Sequence, residues 1–253
     1  MIGYNHQIHA GNAGDVWKHF ILVEVAKRIL VRDSSLVYAE SHVGRPEYAI
    51  SADGEWEKGI GRLWRHLPVL HDFLYFRILA DLNPQGLRLY PGSASLILET
   101  AKRRGALVQA EIWDINPELA VSWRGYSEAK FHYADGFSGV LSILDRSNPG
   151  LLLIDPPYLN QKDFTLANDL LRRAQNAGWV VLWWYMSGLE TAPRIDITEL
   201  ELVFSRAGMD GGKWKGAAVA LAGADDLLVE FLRGQAEKLL KIVQNSSNQL
   251  LRR

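Results

Sequence analysis

Four consecutive residues, Asp155-Pro156-Pro157-Tyr158, carry side-chain and backbone groups that could position an amine attached to a planar ring. They follow the apolar run 151–154, which has the length of a buried strand. Each proline fixes φ at about −65° and removes an N–H, so the turn is stiff and presents carbonyl oxygens. A carboxylate and a carbonyl can accept hydrogen bonds from an amine at about 3 Å, while an aromatic ring stacks on a base.

An amine attached to such a ring is a poor nucleophile, because its lone pair is delocalised, so its methylation depends on positioning. Asp-Pro alone is also a common start of a turn. With a strand before it and Pro157 and Tyr158 after it, the motif instead predicts an amino-methyltransferase site. Asp155 and the Pro156 carbonyl would orient the amine, and Tyr158 would stack on the base.

The hydrophobic pattern predicts the elements that position this motif. One amphipathic helix is expected over 15–31 and a charged one over 225–243. Strands are predicted at 35–39, 106–112, 131–134, 151–154, 180–186, 197–204 and 217–221. Because strand and helix patterns alternate, the chain is predicted to be an α/β protein, with a mostly parallel sheet and helices on its faces.

Polar residues stand at the ends of several predicted strands. In an open α/β sheet, ligands bind outside the carboxyl ends of the strands. One crevice is therefore expected to collect Glu40, His42, Gly44, Asp114, Asp135 and Asp155. Asp114 would bind ribose hydroxyls, as an acid after the second strand does in nucleotide-binding folds. Asp135 and Gly136 would lie beside the adenine of a cofactor.

The length of 253 residues fits a single domain over 1–253. The segment 52–83 reads as helical, rich in Trp, Leu and Phe, and broken at Pro68. It is longer than one crossover between strands requires. A small inserted helical lobe is therefore predicted over 52–88, followed by a turn at 89–93 that leads into a helix.

Composition narrows the class of protein. The chain has no cysteine, so thiolate metal sites, disulfides and thiol nucleophiles are excluded. No apolar run is long enough to span a membrane and no secretory signal is recognisable, so a cytoplasmic protein is expected. The net charge of −1 means that any nucleic-acid contact must come from a local basic patch. Candidate patches are Lys102-Arg103-Arg104, Arg172-Arg173, Lys213 with Lys215, and Arg252-Arg253.

Four stretches carry a family resemblance that extends over nearly the whole chain. They are Tyr4-Asn5-His6-Gln7-Ile8-His9-Ala10-Gly11-Asn12 followed by Asp15, Lys18 and His19; His42 with Gly44; Leu89-Tyr90-Pro91-Gly92-Ser93; and Asp155-Pro156-Pro157-Tyr158. In type, order and spacing these residues resemble the RlmJ family of 23S ribosomal RNA adenine-N6 methyltransferases. The predicted helical lobe also falls where that family carries one.

The resemblance implies a Rossmann-like class I methyltransferase fold, S-adenosylmethionine as the methyl donor and an adenine of 23S ribosomal RNA as the substrate, with no metal. Asp155 would be catalytic, with Pro156 and Tyr158 beside it, and Tyr4 and His6 would lie at the substrate-binding mouth. The cofactor would be contacted by Lys18, His19, His42, Gly44, Ser93, Asp114, Asp135 and Gly136. For the histidines, capping or a satisfied core position is the alternative.

The segment after the first strand, 40–46, departs from the family pattern Asp-Thr-His-Ala-Gly-Ala-Gly. It reads Glu40-Ser41-His42-Val43-Gly44-Arg45-Pro46, so proline replaces the second glycine. Glycine lets a backbone approach a ligand closely, which proline does not. Arg45 is expected either to fill part of the methionine pocket or to pair with Glu47.

The altered segment keeps two alternatives open. One is a divergent homologue that binds nucleic acid with weakened or lost catalysis. The other is a DNA adenine methyltransferase, because Asp-Pro-Pro-Tyr also occurs in that class. A role in the use of external DNA, described for some family members, is neither supported nor excluded by these residues.

Overall fold

The computed structural model describes residues 6–145, 148–187 and 197–250. In chain order the strands are β1 (Ser35–Glu40), β2 (Glu47–Ala49), β3 (Leu89–Pro91), β4 (Leu107–Asp114), β5 (Ala129–Tyr133), β6 (Leu151–Ile154), β7 (Val180–Met186), β8 (Thr198–Val203) and β9 (Gly216–Ala222). The α-helices are α1 (His6–His9), α2 (Ala13–Arg32), α3 (Ile60–Trp64), α4 (Leu67–Leu70), α5 (Leu74–Leu82), α6 (Ser93–Arg103), α7 (Pro117–Ser122), α8 (Gly136–Leu144), α9 (Gln161–Asn176) and α10 (Asp226–Leu250).

Within these residues the central sheet has seven strands in the order β5-β4-β1-β6-β7-β9-β8. The first five pair in parallel, and β9 runs antiparallel between β7 and β8. From β1 the chain moves outward to β4 and β5 and then returns to β6 on the other side. The strand order therefore reverses between β1 and β6, the position at which open α/β sheets bind ligands.

Helices cover both faces of this sheet, as the sequence predicts. Every residue of β6 is buried, and its side chains alternate between two cores. Leu151 and Leu153 join the core that contains α2, α5 and α6, whereas Leu152 and Ile154 join the core that contains α8 and α9. A continuous apolar strand is what a parallel sheet buried on both faces requires.

The segment 52–88 folds as a 3-10 turn (Glu55–Lys58) followed by α3, α4 and α5. Pro68 lies in the first turn of α4, where a missing backbone N–H is tolerated. The helical segment is therefore interrupted just before α4. Buried side chains of the segment, such as Leu63 and Phe76, belong to the same core as α2. Its boundaries as a separate lobe stay a prediction. Strand β2 precedes this segment and β3 follows it. The antiparallel pairing of these two strands was not predicted.

Among the described residues, no helix combines the length and the apolar character needed to cross a membrane.

Candidate active site

The segment after β1 crosses the edge of the sheet where the strand order reverses. Its backbone is tied to both neighbouring strands: Ser41 N–H donates to the Leu153 carbonyl at 3.1 Å, and Val43 N–H donates to the Trp113 carbonyl at 2.9 Å. The carboxyl ends of β5, β4, β1 and β6 consequently lie side by side along one edge. This order places the predicted acids of the four strands in one row.

Lys18, on α2, forms the central ion pair of this edge. Its ammonium lies 2.6 Å from Asp155 Oδ2 and 2.9 Å from Asp15 Oδ1, and its side chain is only 4% exposed. Burial alone would lower the pKa of Lys18, but the carboxylates of Asp15 and Asp155 raise it well above its ordinary value. Lys18 is therefore a fixed positive charge that holds the Asp155 carboxylate at the end of β6.

Asp15 is placed for this contact by the start of α2. Asn12 caps the helix, because its side-chain oxygen accepts the Asp15 N–H at 2.9 Å. The other Asp15 oxygen, Oδ2, accepts the Gly11 N–H at 3.1 Å. Asp15 and Lys18 are three residues apart, so they share one face of the helix. The His-Ala-Gly-Asn stretch thus builds the cap that orients the ion pair.

Glu40, the last residue of β1, is 1% exposed and lies beneath the same edge. One carboxyl oxygen accepts a hydrogen bond from the Ser93 hydroxyl, and the other accepts one from the Tyr38 hydroxyl at 2.7 Å. Burial raises the pKa of Glu40 to about 7, although both hydrogen bonds and the charge of Lys18 oppose that rise. The hydrogen bond between Glu40 and Ser93 therefore ties the end of β1 to the start of α6.

Tyr158 adopts φ +52°, the left-handed region that a side chain disfavours by about 1–2 kcal/mol. Its hydroxyl donates to the Trp184 carbonyl and accepts the Trp183 indole N–H at 2.8 Å. The ring is tilted against Phe164, with centroids 4.5 Å apart. These contacts hold the ring between β7 and α9, so its predicted stacking on a base would use the part of the ring that they leave uncovered.

Asp114 ends β4 and Asp135 caps α8, and both carboxyl groups accept hydrogen bonds from residues that follow them. Asp114 Oδ1 accepts the Asn116 N–H at 2.7 Å, and burial raises the pKa of Asp114. Asp135 caps α8 and accepts both the N–H and the hydroxyl of Ser138. Burial opposes the change, but these hydrogen bonds lower the pKa of Asp135. Both carboxyls therefore have fixed orientations at the strand ends.

Gly136 opens α8 directly against the segment after β1. A Cβ at this position would overlap the Ser41 carbonyl oxygen, so only glycine allows the approach. His42, in that segment, packs edge to face on Phe137, with centroids 4.7 Å apart, and its Nδ1 is hydrogen-bonded to the Ser41 hydroxyl. Burial lowers the pKa of His42. His42 and Gly136, both predicted to contact the cofactor, thus lie on adjoining segments.

Arg45 pairs with α7, where its guanidinium lies 2.7 Å from Glu118 Oε2. The predicted pairing with Glu47 is wrong, because the turn directs the side chain toward α7. The predicted filling of the methionine pocket stays a prediction. Gly44 packs so closely on the Tyr48 hydroxyl that a Cβ would overlap it, and the Gly44 carbonyl accepts the Trp123 indole N–H at 2.9 Å.

His19 is 2% exposed, and its Nδ1 is hydrogen-bonded to the Tyr90 hydroxyl at 2.9 Å. A satisfied core histidine matches these contacts, and a role in cofactor binding stays a prediction. Tyr4 and the side chain of His6 lie outside the described residues, so their placement at the mouth also stays a prediction.

Two contributors were given no role in the site from the sequence alone. Asp15 could have been found from its i, i+3 spacing to Lys18. Trp184, on β7, has its ring centroid 5.3 Å from the Lys18 ammonium. No local pattern indicates that contact, because it joins residues on α2 and β7.

The strand order, with the antiparallel β9 inserted between β7 and β8, defines the Rossmann-like fold of class I methyltransferases. The crystal structure of protein LPL1258 from Legionella pneumophila has the same fold, with a TM-score of 0.75 over 93% of this chain and 94% of that one. The two sequences are 19% identical, so the likeness concerns the fold alone.

The model of the family described as Ribosomal RNA large subunit methyltransferase D, RlmJ, matches residues 33–204. Ribosomal RNA large subunit methyltransferase J of Haemophilus influenzae is 30% identical over 189 residues, which cover 71% of this chain and 66% of the relative. The protein of that name from Escherichia coli is 31% identical over 174 residues, or 65% and 62% of the two chains. The alignments thus span slightly less than two thirds of these relatives. The chain belongs to the RlmJ family, and the resemblance carried by its motifs is confirmed.

Proposed function

We propose that this protein is an S-adenosylmethionine-dependent methyltransferase that acts on the N6 amine of an adenine in 23S ribosomal RNA. The observation that carries the proposal is the Lys18–Asp155 ion pair at the strand-order reversal, directly before Pro156 and Tyr158. Family membership supports the substrate class. A cytoplasmic location follows from a ribosomal RNA substrate.

In the proposed reaction Asp155 positions the amine. The carboxylate is anchored through Oδ2 by Lys18, which leaves Oδ1 to accept a hydrogen bond from the amine. The Pro156 carbonyl accepts the second N–H, and Tyr158 supports the base. The amine lone pair is then directed away from the ring plane, toward the methyl donor. Positioning supplies most of the effect, and the amine proton leaves late.

The residues at this edge fit S-adenosylmethionine. The Asp114 carboxyl, oriented at the end of β4 by the Asn116 N–H, suits ribose hydroxyls. The close approach of Gly136 to Ser41 aligns the start of α8 with the segment after β1, where Asp135 and Gly136 would face the adenine. When bound, the cofactor supplies a methyl group already activated by its sulfonium, so no metal is required.

The target adenine must be unpaired or flipped out of its helix, because a paired exocyclic amine cannot reach this edge. Tyr4 and His6 are proposed to contact the substrate at the mouth of the site. The segment 52–88 is proposed as the lobe that helps to receive the RNA.

The altered segment at 45–46 supports one competing function, a nucleic-acid-binding homologue without catalysis. Calorimetric titration with S-adenosylmethionine separates the two. We expect binding with a Kd in the micromolar range, about −8 kcal/mol, for a methyltransferase. A folded protein that produces no heat at high ligand concentration would refute the proposal and favour the non-catalytic homologue.

Methyl transfer to protein-free 23S ribosomal RNA tests the reaction itself. Asp155→Asn should abolish transfer but leave cofactor affinity within a few fold, because Asp155 orients the amine and not the adenosine. Asp169→Asn, an exposed position on α9, is the matched control and should remain active. DNA of matched sequence tests the DNA methyltransferase alternative, since only RNA offers a 2′-OH. Equal transfer to DNA would refute the RNA assignment.

A further inference from the structure

A cavity of about 300 Å³ lies between α2, α5 and α6, apart from the candidate active site. Four of its lining side chains are cationic, and the fifth is apolar; they are Lys27, Leu74, Arg77, Arg103 and Arg104. In a chain whose net charge is −1, this is a pronounced local excess of positive charge. Such a pocket suits an anion with several oxygen acceptors.

Neighbouring acids neutralise two of the four cations. Lys27 pairs with the fully buried Glu24, and Arg103 pairs with Asp81 and Glu99. Over the described part of the chain, Arg77 and Arg104 form no ion pair. Their guanidinium groups are therefore available to a ligand, while the paired cations add to the positive potential around it. Arginine suits phosphate because its planar group donates two parallel hydrogen bonds.

The cavity lies toward the opposite end of the domain from Asp155. Lys27 is nine residues beyond Lys18 on α2, about 14 Å along the helix axis. Arg103 and Arg104 end α6 just before β4 begins, so they lie at the amino-terminal edge of the sheet. A single nucleotide in the active site does not span this distance. An RNA strand must extend several nucleotides beyond the target base to contact both sites.

We propose that Arg77 and Arg104 bind the phosphate backbone of the RNA substrate several nucleotides away from the target base. The inference rests on the proposed function and extends it, because it assigns a second, sequence-independent contact for the same substrate. Phosphate contacts fix the register of a nucleic acid, and base contacts specify the sequence. The pocket would therefore hold the RNA while the active site selects the adenine.

Fluorescence anisotropy with a labelled single-stranded RNA 20-mer of mixed sequence, at several salt concentrations, tests the pocket. The double variant Arg77→Gln/Arg104→Gln should reduce the slope of log K against log salt by about 1.4, since each single-strand phosphate contact contributes about 0.7. If the variant and the wild type bind RNA equally at about 1 M salt, the variant should bind it roughly 25-fold more weakly than the wild type at about 0.1 M salt. Cofactor affinity and urea unfolding of the variant should be unchanged.

The matched control is Arg206→Gln/Arg233→Gln, which removes the same charge from two exposed positions outside the pocket and should retain the wild-type slope. Arg77→Lys/Arg104→Lys, which keeps the charges, should restore most of the affinity. If the wild type binds and methylates RNA but the glutamine double variant keeps its slope, the pocket assignment is overturned and the proposed function stands. If the wild type neither binds nor methylates RNA, both are overturned.

Discussion

Glu40 makes the stability of this protein depend on pH in a way that can be calculated. The folded state raises its pKa from 4.5 to about 7 through burial, so the folded protein holds the proton more tightly than the unfolded chain does. Stability is therefore greatest below the unfolded pKa and falls as the pH rises through 7. From pH 5 to pH 8, the loss amounts to about 2–3 kcal/mol, on the order of 100-fold in the unfolding equilibrium.

Glu40→Gln removes this dependence while keeping a hydrogen-bonding side chain of similar size. Urea unfolding followed by tryptophan fluorescence, at pH 5 and pH 8, gives the free energy of unfolding of both proteins. The contributions of the other titrating groups to the pH dependence cancel when the free energy of unfolding of the wild type is subtracted from that of the variant. That difference should shift by about 2–3 kcal/mol in favour of the variant at pH 8. The exposed substitution Glu237→Gln should leave the difference constant.

A constant difference between Glu40→Gln and the wild type across this pH range would refute the reasoning. It would mean that Glu40 titrates at the same pH in the folded and unfolded chains. The hydrogen bonds from Ser93 and Tyr38 would then offset the whole cost of burial.

Three further substitutions test the contacts around the site by urea unfolding and cofactor calorimetry. Lys18→Met should cost about 3–5 kcal/mol and abolish methyl transfer, because it leaves the carboxylate of Asp155 without its partner; wild-type stability would show that the ion pair contributes little. Tyr158→Phe should cost about 1–3 kcal/mol, since it leaves a buried donor and an acceptor of β7 unpaired, and an unchanged value would contradict those bonds. Gly136→Ala should weaken cofactor binding, because its Cβ must displace the Ser41 carbonyl; unaltered affinity would argue against that contact.

Hydrophobic pattern predicted most of the sheet. The strands at 151–154 and 180–186 were predicted with their observed bounds, and the α/β class followed from their alternation with helices. The helix predicted at 15–31 runs from Ala13 to Arg32, because the Asn12 cap starts it earlier. Hydrophobic periodicity is local information. It is sufficient to predict a helix or strand whose type is determined by which of its own faces are buried.

Pairings between distant side chains were harder to predict. Arg45 was expected to contact Glu47, yet it pairs with Glu118, which is 73 residues away. Tyr158 is predicted to stack on a base, and the hydrogen bonds that its hydroxyl makes with β7 are not indicated by the motif. In each case the partner is determined by which helix or strand is the spatial neighbour.

By itself the sequence determined the strands of the central sheet, the polar residues at their ends, the Asp155-Pro156-Pro157-Tyr158 turn and the family. These depend on residue type and short spacing, which act within one element. Tertiary structure alone decided that Lys18 meets Asp155 across 137 residues, and that Arg77 and Arg104 line one cavity. Such contacts depend on the order of the strands and the docking of the helices, which bring into contact side chains that no local pattern relates.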